Sequence, residues 1–332
     1  MAIESAQVSV VVAGPIPRTR YRGADAIQAV IASVRNHLPR AELILSTWEN
    51  EDTDGLDYDV VVKQPDPGGF VLQQHNGKRF VNNVNRMIAA IREGVRAAGR
   101  PHVMRLRSDC ILTNSNSLSL FGTWTIPCGD TTFVSERILA CTLYSRDPTI
   151  YFPKHGYLPH HPSDIFHFGY RRDIEAMWSA PLVTDDSDKW QLLIDKASGT
   201  TYRWYRYAPE QHVWLSFVRR YREVLCDHIA HSHARAASET MQLFAANLVL
   251  LSPRQLGFRS LKPWFFWRHM PETCITHRQW LTTYQRYTGS LRPSARNRDV
   301  QKSLNAFVYA GMIALHAVAD RTPKWLKPRY VV

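Results

Sequence analysis

The sequence is poor in cysteine. It has five (Cys110, Cys128, Cys141, Cys226 and Cys274), an odd number, widely spaced and without a CxxC pair. That excludes a disulfide framework and a zinc knuckle, and it fits a reducing cytoplasm. Long apolar runs are also missing. The most apolar stretch, residues 306–319, contains His316, and it falls short of the roughly 20 residues a spanning helix needs. The first ten residues, MAIESAQVSV, lack a basic n-region and a long apolar h-region, so no secretory signal is expected. There is no GxxxxGK[ST] and no GxSxG, which argues against a P-loop and against a serine nucleophile elbow. Internal repeats and low-complexity tracts are absent as well. Acidic residues are scarce in the last quarter: residues 253–332 carry 3 Asp+Glu against 14 Lys+Arg.

What is present is a chain of 332 residues, 45% apolar and 21% charged. This excludes disorder as the main state and leaves room for one large domain or two smaller ones. Residues 1–252 hold 27 Lys+Arg and 26 Asp+Glu, a net of +1, so residues 253–332 supply +11 of the formal +12. A neutral body with a cationic end suits an anionic partner: a membrane face, nucleic acid or a phosphorylated acceptor. A solvated basic surface reads the same way. The apolar 306–319 stretch, followed by Arg321, Lys324, Trp325, Lys327 and Arg329, suits either a helix lying in a membrane interface or a packed amphipathic helix.

Hydrophobic periodicity predicts alternating strands and helices. Residues 8–13 (VSVVVA), 42–48 (ELILSTW) and 59–63 (DVVVK) read as short buried strands, and 102–112 (HVMRLRSDCIL) as a strand running into a charged end. Helical spacing covers 24–37 and 78–98, and later 211–222, 239–251, 277–287 and 299–319. Residues 131–134 and 138–144 look β-like, and 151–161 form a loop rich in Pro, His and aromatics. This order predicts an α/β fold with an open, mostly parallel sheet flanked by helices. Ligands of such sheets sit at the carboxyl ends of the strands, near a switch in strand order. Gly14-Pro15, Thr47-Trp48-Glu49 and Arg107-Ser108-Asp109 stand at those ends.

Four constellations suit chemistry. In Arg105-Leu106-Arg107-Ser108-Asp109, the aspartate is placed to bind a divalent cation that neutralises a diphosphate leaving group. Arg107 replaces the first acid of a DxD pair, and a guanidinium contacts phosphate directly. The Arg107-Ser108-Asp109 trio also reads as a surface salt-bridge group. In Asn82-Asn83-Val84-Asn85-Arg86, residues 82, 85 and 86 share a helix face, placed either for sugar hydroxyls and phosphate or as a capping region. Glu210, at a helix start, suits a general base or a simple dipole partner. Asp164, among aromatics in SDIFHFG, suits a second carboxylate or a turn. His228, His231 and His233 with Asp227 have metal-like spacing, but no second cluster supports zinc, so structural or phosphate-contact roles are favoured.

In order along the chain, VVVAGPI (10–16), AELILSTWE (41–49), DPGG (66–69), NNVNRMI (82–88), LRSDCIL (106–112), SDIFHFG (163–169), EQHVWLSF (210–217) and LSPRQLGFRSLKPW (251–264) resemble the WavE lipopolysaccharide-synthesis family. These are bacterial proteins regarded as glycosyltransferases with a GT-A-like fold. The resemblance implies a GT-A-like catalytic domain over 1–252, with a nucleotide-sugar half of about 1–113 and an acceptor half of about 114–252, and a basic aromatic helical extension over 253–332. It implies nucleotide contacts at Gly14, Pro15, Thr47 and Glu49, and Asn82 and Arg86 near the donor sugar. It implies diphosphate and metal contacts at Arg107 and Asp109, with Mn²⁺ or Mg²⁺ as cofactor. Glu210 takes the place of the base, with Asp164 as its rival. The implied partners are a nucleotide-sugar donor and a lipid-linked or oligosaccharide acceptor of lipopolysaccharide or another surface polysaccharide. The implied location is cytoplasmic and peripheral on the anionic inner-membrane face. Nucleic acid is not expected, although a non-catalytic protein gripping nucleic acid or an anionic polymer with its basic end is the alternative.

Overall fold

A computed structural model describes residues 3–290 except 18–19, 22–23, 74–78, 151–156, 185–189, 196–200, 230, 232–233 and 263–270. The expected helix at 299–319, and the cationic end beyond 290, lie outside the described residues.

Seven strands make the central sheet: β1 Val8–Ala13, β2 Glu42–Trp48, β3 Val60–Gln64, β4 His102–Arg107, β5 Ile138–Cys141, β6 Phe166–Tyr170 and β7 Leu248–Leu251. Their order is β7-β5-β6-β4-β1-β2-β3. β1 pairs in parallel with β2 and β4, β2 with β3, and β5 with β7; β6 alone runs antiparallel to its neighbours β4 and β5. The fold is therefore α/β with a mostly parallel sheet, as the strand–helix alternation implies. Every residue of β1 is buried, which explains why it reads as a continuous apolar run rather than an alternating one.

Helix α1, Ala26–His37, buries Ile27, Val30, Ile31 and Val34, the positions its periodicity marks. Helix α2, Val84–Arg96, packs on β1 and β2. The Ser46 hydroxyl of β2 donates to the Ala90 carbonyl at 2.6 Å. Helix α3 is Arg171–Trp178, α4 Pro209–Val218, α5 Ala234–Asn247 and α6 His277–Tyr287. The helix expected over 277–287 has those limits.

Several boundaries differ from the periodicity. Residues Arg79–Asn82 are a strand pairing with Phe70–Gln73, and the helix starts only at Val84. The Asn82 side chain accepts from the Val84 N–H at 2.9 Å, so the Asn-rich segment sets the helix start instead of lying within it. The helix expected over 239–251 ends at Asn247, and LVLL continues as β7. β-Branched and leucine side chains there fill an edge position beside β5. Residues 131–134 form no strand; Gly129–Thr131 is a 3₁₀ turn. The strand expected over 102–112 breaks after Arg107, and Cys110–Leu112 pairs instead with Phe258–Ser260.

That pairing carries a consequence for domain division. Residues Met1–Ser290 form one compact unit. Phe258 is buried and stacks parallel on Phe166 at 5.1 Å, and Trp280 is fully buried. Among the described residues after 252, Phe258–Ser260 pairs with Cys110–Leu112, and Phe258 and Trp280 pack in the same core as the residues before 252.

Candidate active site

The chain runs from β1 outward to β2 and β3, then returns to place β4 on the other side of β1. This switch opens a crevice beyond the carboxyl ends of β1 and β4, the place where ligands of open α/β sheets bind. A cleft of ≈ 800 Å³ opens there, within the range of small-molecule sites.

At the end of β1, Gly14 has φ 123°, a conformation that side chains rarely adopt. Its N–H donates to the Ser46 carbonyl at 3.0 Å. The Ser108 hydroxyl donates to the Pro15 carbonyl at 2.9 Å, stitching the ends of β1 and β4 together. Gly14, Pro15 and Ser108 all line the cleft.

Beside them lies a charged triad. Arg107 donates to both oxygens of Asp109, Nε to Oδ1 at 3.0 Å and Nη2 to Oδ2 at 2.9 Å. Lys262 Nζ reaches Asp109 Oδ2 at 2.7 Å. Burial alone raises a carboxyl, but Arg107 and Lys262 outweigh it and hold Asp109 well below the usual carboxylate range. Lys262 arrives from far along the chain because the 258–260 strand pairs with 110–112 and the Leu261 N–H donates to the Asp109 carbonyl at 2.8 Å.

Two carboxylates, Asp164 and Glu210, line the same cleft. Asp164 precedes β6 and lies 3.8 Å from the Arg105 guanidinium, which also donates to the Asp164 carbonyl. Arg105 points from β4; burial lowers its pKa to about 10 against the pull of Asp164. Glu210 stands in the first turn of α4, where Pro209 fixes the entry and Gln211 accepts from the Ala208 N–H at 2.9 Å. Burial, and then the neighbouring Asp164 charge, push the Glu210 carboxyl up to about 7. The His161 ring lies 3.5 Å from Glu210 Oε2. A buried carboxyl near 7 beside a second carboxylate is suited to taking a proton from a hydroxyl.

At the third corner, Arg86 clasps Asp66 with Nε–Oδ1 and Nη2–Oδ2 contacts, both 2.7 Å, and donates to Asn83 Oδ1 at 2.9 Å. The DPGG turn holds Asp66 through the Gly68 N–H at 2.9 Å. The Arg86 guanidinium lowers the Asp66 carboxyl.

The cleft thus brings together seven of the candidates: Gly14, Pro15, Arg86, Arg107, Asp109, Asp164 and Glu210. Three stand apart. Thr47 is buried inside β2, Glu49 is exposed beyond its end, and Asn82 is turned to the backbone of α2. The neighbours Trp48, Asn50, Glu51 and Asn83 line the cleft in their stead. Asn85 is a structural residue, exchanging two hydrogen bonds with the Val183 backbone at 2.8 and 2.7 Å. Arg105 lies within the RLRSD constellation, whereas the sequence assigns no site role to Lys262, Asp66 or His161. Lys262 lies in the LSPRQLGFRSLKPW segment, and only long-range strand pairing brings it to Asp109. Among the described residues, no three of His, Cys, Asp and Glu gather to hold a metal ion. His231 Nδ1 lies 3.6 Å from Asp227, and the His228 and His231 rings are 5.8 Å apart; His233 lies outside the described residues.

A family described as WavE lipopolysaccharide synthesis matches residues 8–309. No curated protein matches the sequence. Among solved structures, a 4-diphosphocytidyl-2C-methyl-D-erythritol synthase from Anaerococcus prevotii is similar at 14% identity over 56% of this chain and 83% of that one, TM-score 0.31. A cytidylyltransferase from Leptospira borgpetersenii follows at 12%, over 53% and 66%, TM-score 0.30. HddC from Yersinia pseudotuberculosis is similar at 10%, over 51% and 79%, TM-score 0.31. At these scores the likenesses carry no argument.

Proposed function

The chain belongs to the WavE lipopolysaccharide synthesis family, and from that premise we propose that it is a GT-A-type glycosyltransferase. It moves a sugar from a nucleotide-sugar donor to a lipopolysaccharide or other surface-polysaccharide acceptor. The observation that carries the reading is the gathering of cations and carboxylates in one cleft. Arg107 and Lys262 lie at a strand end beside the switch point of the sheet, and two carboxylates, Asp164 and the raised Glu210, line the same cleft within reach of the Arg107 charge.

The cationic pair suits the diphosphate of the donor, since guanidinium and ammonium stabilise charge that develops on a leaving phosphate. Glu210 suits the acceptor side. Its carboxylate takes the proton of the attacking hydroxyl, and the elevated pKa makes it a better base than a solvated glutamate. Gly14 and Pro15 leave the end of β1 open for the nucleotide, and the Arg86–Asp66 clasp borders the donor sugar. Holding both substrates side by side in one cleft supplies much of the rate.

The test is sugar transfer from a panel of UDP-, GDP-, CMP- and dTDP-sugars to lipopolysaccharide core acceptors. One donor is expected to be consumed, with Glu210→Gln lowering kcat by about 100-fold or more. Transfer at the wild-type rate by Glu210→Gln would remove the base assignment. Absence of transfer from every donor would remove the glycosyltransferase reading.

A further inference from the structure

We propose that Lys262 and Arg107 occupy the role of a divalent cation, so that this cleft binds a nucleoside diphosphate without metal. The inference rests on the donor reading above and specifies how that site holds its charge.

The argument starts from Asp109. A strand-end aspartate holds a divalent ion through free carboxylate oxygens. Here Oδ1 accepts from Arg107 Nε, and Oδ2 takes both Arg107 Nη2 and Lys262 Nζ. Both oxygens are engaged by fixed positive groups. An ion placed on either would meet an ammonium and a guanidinium in direct contact with its own ligand. The donor set therefore does not fit a divalent cation, and the described residues offer no cluster of three acids, histidines or cysteines in its place.

The exposures give the triad its direction. The Asp109 side chain is 10% exposed, Arg107 28% and Lys262 43%. The carboxylate lies behind and the cations lie in front. Arg107 and Lys262 both line the cleft, and the Asp164 charge also acts on Arg107. Asp109 is then a positioning residue. It aligns a planar guanidinium, which suits bidentate phosphate contact, beside a point-charge ammonium.

The chemistry balances without a metal. The bond from the sugar anomeric carbon to the phosphate oxygen breaks, and its electron pair goes to that oxygen. The anomeric carbon bonds to the acceptor oxygen, whose proton passes to Glu210. The departing nucleoside diphosphate gains one negative charge, and Arg107 and Lys262 face it.

Calorimetric titration with UDP, GDP, CDP and dTDP, each with Mn²⁺ and with EDTA, tests this on the full chain and on Lys262→Met, Lys262→Arg and Asp109→Asn. Thermal melting shows whether each variant is folded. The expected result is that a diphosphate binds equally in EDTA and in Mn²⁺. Lys262→Met weakens it by about tenfold or more and Lys262→Arg restores most of the loss. Asp109→Asn weakens it without creating a Mn²⁺ dependence. Binding that requires Mn²⁺, or binding in EDTA that Lys262→Met leaves unchanged, overturns the inference and leaves the donor reading standing. No binding of any diphosphate under either condition overturns both.

Discussion

Glu210 is a carboxylate that burial and the Asp164 charge keep protonated up to about pH 7, whereas its ordinary value is 4.5. Two consequences follow with opposite signs. As a base it must be ionised, so kcat/KM for sugar transfer is expected to rise with pH and reach half its plateau at about 7. For folding, the raised group binds its proton more tightly in the native state than in the unfolded one. Its favourable contribution is complete below 4.5 and is lost as pH rises through about 7. Glutamine cannot ionise and avoids that loss. Glu210→Gln is therefore expected to be more stable than the wild type at pH 8 by about 1–3 kcal/mol, and nearly equal to it at pH 4. Urea unfolding at the two pH values measures this. A stability difference that is the same at both would show that Glu210 is not held protonated by its surroundings.

Helix α2 illustrates how packing overrides propensity at the scale of an element. Gly94 lies inside this helix, where alanine is favoured by about 1 kcal/mol. A Cβ at that position would stand 2.5 Å from the Val11 methyl of β1 and 2.9 Å from Ser46 Cβ of β2. Both neighbours are short side chains of buried strands and have little room to yield. Gly94→Ala is expected to destabilise by about 1–3 kcal/mol despite the better helix former. Thermal or denaturant unfolding checks the sign; a stabilised variant would mean that α2 can slide on the sheet. The same contest explains what was legible in the sequence. Strands β1 and β2 have the limits their apolar runs predict, because burial on both faces leaves a continuous signal. The start of α2 was not legible as periodicity, since Val81 and Val84 fit a helical face while Asn82 and Asn83 turn the chain from a strand into the helix. The end of α5 was lost in the same way: Leu243 and Phe244 run without interruption into the apolar LVLL of β7.

At the scale of the molecule, the cleft is assembled from strand ends widely separated in sequence. Residues next to those ends, such as Gly14, Arg107 and Asp109, could be picked out because strand ends in an open sheet are where ligands bind. Lys262 could not, since it has no local signal; the pairing of Phe258–Ser260 with Cys110–Leu112 brings it to Asp109. The same limit applies to charge. Residues 291–332 carry 8 Lys+Arg and 2 Asp+Glu, beyond the compact unit that ends at Ser290. A basic segment near an anionic bilayer gains about 1 kcal/mol per Lys or Arg, attenuated by salt. Ending the chain at Arg296 removes 6 basic and 2 acidic residues. The full chain is therefore expected to sediment with phosphatidylglycerol vesicles but not with neutral phosphatidylcholine ones, and less so as salt rises. The shortened chain should stay in the supernatant while keeping the nucleotide binding proposed for the cleft, because every described residue lining the cleft precedes residue 263. Equal sedimentation of both forms would show that the surface of the compact unit, and not the cationic end, meets the bilayer.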